Sequence, residues 1–304
     1  MSPQDGPSEF LAFHRDELAA QVLAGGRVGR APIRSFMPDQ HRAFFAGLPY
    51  LFVATMDERG WPVASVLSGQ PGFVQSPDPV TLRIQGGHDT EGVAAGREIG
   101  LLGLDLTNRR RNRANGHLTE VDEGGLVVRI GQSFGNCAQY IQTRLPTPAA
   151  RTPAPVERFE GLDEAARALI GTADTFFVAS RSRPEISSGG GLDMSHRGGR
   201  PGFVGVHGNT LAIPDFRGNR FYNTLGNLLG EPRAGLLFID FPSGDLLQLQ
   251  GRAEIDWAPG NSGPEGAERL WCVRIDRGWR RRGAFPFAWT FGDYAPTTLR
   301  TGVW

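Results

Sequence analysis

Short apolar runs separated by Gly, Pro and Asp dominate the chain, a pattern that predicts many brief β-strands and few helices. Two helices come first. Residues 10–23 place Phe10, Phe13, Leu18 and Val22 at helical spacing and stop at Gly25-Gly26. Residues 38–48 begin with Pro38 in the first turn and close near Gly47. Strands are then predicted over 51–56, 63–67, 80–84, 100–106 and 126–130, with a hairpin loop at 57–60. Residues 145–156 carry prolines at 146, 148, 153 and 155 and read as an extended linker. A helix over 161–170 follows, then strands over 175–180, 203–206, 210–213, 235–241 and 246–255. A further helix, 221–229, is closed by Gly230 and Pro232.

The second series echoes the first. YLFVATM at 50–56 returns as TFFVASR at 175–181, PGFV at 71–74 recurs at 201–204, and GLLGLDL at 100–106 matches GLLFIDF at 235–241. The copies run 125 residues apart at Phe52 and Phe177 but 135 apart at Gly116 and Gly251. The second copy therefore gains residues after its first strand and again after Ile213. One scaffold used twice, with a site built in one copy, is the expectation. Short antiparallel strands with a helix inserted before one of them fit two small β-barrels, with a β-sandwich as the competing architecture.

Composition narrows the function classes. Net charge is zero, so no global field draws the chain to nucleic acid or to an anionic membrane, and neither partner is expected. Every one of the 32 basic residues is arginine, so an anion site must use guanidinium forks or backbone N–H groups. Cys137 and Cys272 lack metal or disulfide spacing, and the histidines His14, His41, His88, His117 and His207 show no ligand spacing with carboxylates; no metal is expected. Residues 1–9 lack the basic start of a secretory signal and no apolar run reaches membrane-span length, so a cytoplasmic location is expected.

Two segments concentrate chemistry. Residues 193–204, DMSHRGGRPGFV, bring Ser195, His196, Arg197 and Arg200 beside a Gly-Gly pair, whereas the matching VASVLSGQPGFV at 63–74 carries no charge. Residues 213–229 end a strand, present Arg217, Asn219 and Arg220 in a turn, and start a helix whose free N–H groups favour phosphate. The matching 85–93, QGGHDTEGV, has no arginine and two carboxylates. His196 is a candidate for donating a proton or polarising a substrate. Cys137 is placed at a helix start, and Tyr140 either stacks near a ligand or packs in the core. Arg109–Arg111 with Arg113, and Arg280–Arg282, read as solvated faces.

Together the two segments resemble the flavin-binding split β-barrel family typified by pyridoxamine 5′-phosphate oxidase. In that family an Arg opens a barrel strand and a later turn carries two basic residues, which together grip the phosphate of flavin mononucleotide (FMN). Arg200 takes the first position and Asn219-Arg220 the turn, so Asn stands where one basic residue is usual, with Arg197 or Arg217 as compensation. The stretch GNCAQYIQTR at 135–144 and the aromatic FPFAWTF at 285–291 are similar to segments of relatives.

The resemblance implies a mainly β (α+β) chain of two tandem split β-barrels with flanking helices, forming an intrachain pseudo-dimer. It divides as a helical extension (1–35), a degenerate repeat (36–144), a linker (145–158) and a flavin-binding repeat (159–304). It implies an FMN-dependent oxidoreductase with one flavin site, held by Ser195, Arg197, Arg200, Pro201, Phe203, Val204, Arg217, Asn219, Arg220, Thr224 and Gln250, and covered by Asn136 and Tyr140. Haem, deazaflavin and FAD are the alternative cofactors, and a non-catalytic binding or sensing protein is the alternative role. A small-molecule substrate, NAD(P)H or O2 as redox partner, and either a monomer or a further homodimer are expected. A vitamin B6 substrate is not, because the tail 284–304 has Arg300 as its only basic residue.

Overall fold

The computed structural model describes residues 10–26, 28–86, 91–186 and 188–304. His88, part of the 85–93 stretch and residues 1–9, on which expectations rested, lie outside them. Among the described residues the chain is mainly β with few helices, and its sheets are antiparallel.

The first half holds α1 (Arg15–Leu23), α2 (Asp39–Ala46), β1 (Tyr50–Met56), β2 (Pro62–Ser68), β3 (Val74–Gln75), β4 (Thr81–Gln85), β5 (Glu98–Asp105), β6 (Arg110–Asp122) and β7 (Gly125–Gly135). Then come β8 (Arg144–Pro148), β9 (Glu157–Glu160) and α3 (Glu164–Thr172). The second half holds β10 (Thr175–Arg181), β11 (Leu192–Gly198), β12 (Gly205–His207), β13 (Thr210–Phe216), α4 (Asn223–Gly230), β14 (Arg233–Asp240), β15 (Asp245–Asp256), β16 (Ala267–Arg281) and β17 (Phe287–Phe291).

The two large sheets have the same strand order. The first runs β2-β1-β5-β6-β7-β4-β3 and the second β11-β10-β14-β15-β16-β13-β12, each an open path, with β9 added beside β16. Both carry a bulge at the same place, between Asn115 and Gly116 on β6 and between Gln250 and Gly251 on β15. Those bulges make Arg113 the counterpart of Gln248 and Asn115 the counterpart of Gln250.

The central strands read as unbroken apolar runs because both of their faces are covered. On β1, Leu51 and Val53 enter the core of the first sheet, while Tyr50, Phe52 and Ala54 enter a core shared with the second. On β10, Phe176 and Val178 face inward in the same way, and Phe177 and Ala179 face the shared core. Two glycines let the halves approach. A Cβ on Gly100 of β5 would strike the β11 backbone at Leu192 and Asp193, and one on its counterpart Gly235 of β14 would strike β2 at Pro62 and Ala64.

Several elements depart from expectation. The long strands β6 and β16 were not predicted, because polar residues at alternate positions hide their apolar face. At the start of the proline-rich stretch, Pro146 and Pro148 lie on β8, which pairs with β17. Cys137 lies in an irregular loop after β7 rather than at a helix start. The first length gain lengthens the loop between β10 and β11, where Arg183 holds Asp16 of α1 through two bonds of 2.7 Å. The first helix begins at Arg15 because the His14 side chain and Glu17 form a capping box there.

Candidate functional site

Beside β11 a cavity of about 100 Å³ opens between the two halves. Both halves of the chain build it. The second half supplies β11 with Ser195, His196 and Arg197, the end of β13 with Asp215, and the turn into α4 with Asn219, Arg220 and Thr224. The first half supplies Arg111 and Arg113 from β6, and Asn136, Cys137 and Tyr140 from the loop after β7.

Five guanidinium groups line this space, those of Arg111, Arg113, Arg197, Arg220 and Arg269, against one carboxylate, Asp215. Asp215 is already engaged: Arg197 and Arg269 both bond to it, Arg269 at 2.8 Å. Behind the wall, Asp193 accepts from Arg113 at 3.2 Å, from Asn115 at 2.7 Å and from Asn227 at 3.0 Å. Arg113 also bonds Ser195, which lies 2.9 Å from Thr224. Burial, reinforced by Arg113, pulls Arg111 down to about 10, which leaves it cationic at neutral pH. The cavity thus carries an excess of positive charge in a partly dry setting, the requirement for binding an anion.

His196 is buried, and burial together with Arg111, Arg197 and Arg144 holds its pKa well below the usual imidazole range. Its Nδ1 lies 3.4 Å from Arg111 Nη1. A guanidinium only donates, so Nδ1 accepts and the proton resides on Nε2. That Nε2 has no hydrogen-bond partner within the protein, and the same holds for the buried Arg111 Nε, Arg113 Nε and Asn136 Nδ2. Four orphaned donors belong to residues around one cavity.

The turn into α4 is held from the first half. Arg220 and Tyr222 both adopt left-handed backbone, at φ 62° and 58°, a conformation that costs a non-glycine residue about 1–3 kcal/mol when the surroundings enforce it. Asn219 Oδ1 accepts from the Phe221 N–H at 3.1 Å, its Nδ2 donates to Asn136 Oδ1 at 2.7 Å, and Tyr140 Oη donates to the Arg217 carbonyl at 2.9 Å. Behind α4, Glu17 of α1 accepts from the Asn223 side chain and His14 meets Asn227 at 3.0 Å.

Ser195, His196, Arg197, Phe203, Asn219, Arg220, Thr224, Asn136 and Tyr140 therefore gather at one place. Others do not. Arg200 bonds the Thr301 carbonyl through Nε and Nη2, bracing the C-terminal segment, and Pro201 is exposed beside it. Val204 is packed in the core of the second sheet. Arg217 is exposed and contributes only its carbonyl. Gln250 lies on the opposite side, where it bonds Asp57, the Pro62 carbonyl and Arg277.

The missed residues are Arg111 and Arg113, which enter the site instead of facing solvent, and their support Asp193. Arg280 is likewise buried, bonded to Glu157 and Asp163. The register of the repeat held the signal for Arg113: its counterpart is an uncharged Gln248, which bonds the Ala64 carbonyl and Trp279 on the other side.

Among the described residues no three His, Cys, Asp or Glu side chains form a metal-holding group, and no helix is long and apolar enough to cross a membrane. No protein-family profile matches the chain, and no curated protein matches it. Solved structures do. HupZ of Group A Streptococcus aligns at 14% identity over 42% of this chain and 98% of that chain, with a TM-score of 0.29. An FAD-binding protein from Mesorhizobium loti aligns at 11% identity over 41% of this chain and 97% of its own, TM-score 0.28. A 5-nitroimidazole antibiotic resistance protein of Bacteroides thetaiotaomicron, described as putative, aligns at 12% identity over 45% and 95%, TM-score 0.28.

Proposed function

We propose that the chain is an FMN-dependent oxidoreductase of the pyridoxamine 5′-phosphate oxidase-like kind, built as two split β-barrels in tandem with one flavin site between them. The observation that carries this reading is the convergence of five guanidiniums and four orphaned donors on a cavity that only one half supplies with an α4 turn.

The donor set fits the phosphate end of the nucleotide. Arg220 and Arg197 supply charge, Asn219, Ser195 and Thr224 supply neutral donors, and the N-terminus of α4 adds its dipole. In this reading the phosphate takes the cavity of about 100 Å³ and the ring lies toward Asn136 and Tyr140. When bound, the flavin supplies hydride or electron transfer. His196, neutral with its proton on Nε2, serves as a hydrogen-bond donor to a carbonyl or oxyanion and not as a proton source at neutral pH. The same tautomer argues against haem, because Nε2 keeps its hydrogen while Arg111 holds Nδ1, which leaves neither nitrogen free as an iron ligand. The substrate is a small molecule, with NAD(P)H or O2 as the redox partner, and the fused pair acts as its own pseudo-dimer.

The test is the visible spectrum of the purified protein and its titration with FMN. Flavin absorbance and saturable binding are expected. Arg220→Ala should weaken binding at least tenfold, and Arg59→Ala, on the opposite side, should leave it within twofold. Absence of any flavin binding, or equal effects of the two variants, overturns the reading.

A further inference from the structure

A second cavity, of about 290 Å³, lies apart from the one just described, under the β8–β17 ribbon. It is bounded by the end of α3, the start of β10 and the end of β14. Phe241, Trp289 and Phe291 are the aromatic residues of its lining. The Arg144 guanidinium sits over the Phe241 ring at 4.0 Å and faces Phe291 at 5.4 Å, while Trp289 packs against Phe241 with ring centroids 5.3 Å apart. The ribbon register places Phe291 directly opposite Arg144, which fixes this sandwich.

The polar end of the cavity is built and incompletely satisfied. Arg144 and Asp174, both buried, form an ion pair at 2.5 Å through Nη2 and Oδ2. Arg144 Nη1, Asp174 Oδ1, the hydroxyl of the buried Thr175 and Trp289 Nε1 have no partner within the protein. Four orphaned atoms thus belong to four residues of one cavity, and each is costly to bury unpaired.

Their polarity constrains what completes them. Arg144 Nη1 and Trp289 Nε1 only donate, Asp174 Oδ1 accepts, and Thr175 does either. The charges of Arg144 and Asp174 cancel, and Asp240, the second carboxylate of the lining, accepts from Ser243 Oγ at 2.7 Å; a carboxylate would meet both aspartates, while an ammonium would leave Arg144 Nη1 and Trp289 Nε1 without an acceptor. A neutral primary carboxamide has a carbonyl oxygen for the two donors and N–H groups for the two acceptors. The aromatic part of the lining favours a planar body.

We infer that this cavity binds a small neutral aromatic carboxamide, held edge-on by Arg144, Asp174, Thr175 and Trp289, with its ring packed beside those of Trp289 and Phe291. The site does not depend on flavin binding at the first cavity.

Benzamide, benzoate and benzylamine serve as probes on the full chain, followed by ligand-observed saturation-transfer NMR and by tryptophan fluorescence. Benzamide should bind, with benzoate and benzylamine at least tenfold weaker. Thr175→Val, which keeps the shape and removes the hydroxyl, should weaken benzamide at least threefold. Phe291→Ala, at a rim position that is 45% exposed, should weaken it similarly. Arg220→Ala should bind benzamide like the wild type, which separates this site from the flavin proposal. The inference is overturned if benzamide does not bind, if a charged probe binds as well, if both cavity variants bind normally, or if Arg220→Ala abolishes binding.

Discussion

Phe52 of β1 and Phe177 of β10, counterparts in the two sheets, stack on each other with ring centroids 3.7 Å apart and planes 17° from parallel. A residue that meets its own counterpart marks a local two-fold relation between the halves. Around it, Gly100 and Gly235 make the reciprocal close approaches to β11 and β2. The shared core that results contains residues of both sheets, so neither half is complete without the other.

That core should make unfolding a single event. Phe177→Ala removes a fully buried ring and is expected to cost about 3–5 kcal/mol. In urea, the midpoint should fall while fluorescence and far-ultraviolet circular dichroism still coincide. Two separated transitions in the wild type would mean that the sheets fold independently.

Arg113 and Asp193 come from different halves and are both buried. Arg113→Ala leaves Asp193 with an uncompensated charge and is expected to destabilise by about 3–5 kcal/mol. Adding Asp193→Asn to that variant should recover a large part of the loss. A double variant no more stable than Arg113→Ala would show that the pair contributes through packing and not through charge.

Glu17 provides the pH test. Burial, with the nearby charge of Asp193, raises its pKa from 4.5 to about 8. The folded state therefore holds a proton that the unfolded chain releases above 4.5, so this contribution to stability is full below that value and fades as pH climbs toward 8. His14 and His196 act in the opposite sense: burial lowers both, and they oppose folding as pH falls below 6.5. Glu17→Gln isolates the first effect. Its stability relative to wild type, measured by urea unfolding from pH 5 to pH 8.5 (a range set by these shifts), should rise with pH; a constant difference would contradict the assignment.

Legibility in the sequence followed local physics. β1 and β10 could be read directly, because burial on both faces leaves an apolar run with nothing to mask it. The turn at Asn219-Arg220 and the charged strand at Ser195–Arg197 were legible because their counterparts in the first copy lack those residues. Arg113 was not, since its meaning depends on Asp193, 80 residues away, and an arginine-rich stretch looks the same in solvent and in a wall. Arg200 misled for a related reason. Its neighbours place it near the site, but its guanidinium turns to a carbonyl 101 residues later. Gln250 is the mirror case, a residue on the correct strand type in the half that faces the other way.

The docking of α1 has a consequence for synthesis. His14 and its partner Asn227 are separated by 213 residues, so at about 5–20 residues per second the helix waits on the order of 10–40 s for α4 to emerge from the ribosome. During that interval the finished first sheet presents Tyr50, Phe52 and Leu102 without a cover. Until the second sheet is made, that apolar face stays open to association with other chains, so dilution should raise the refolding yield.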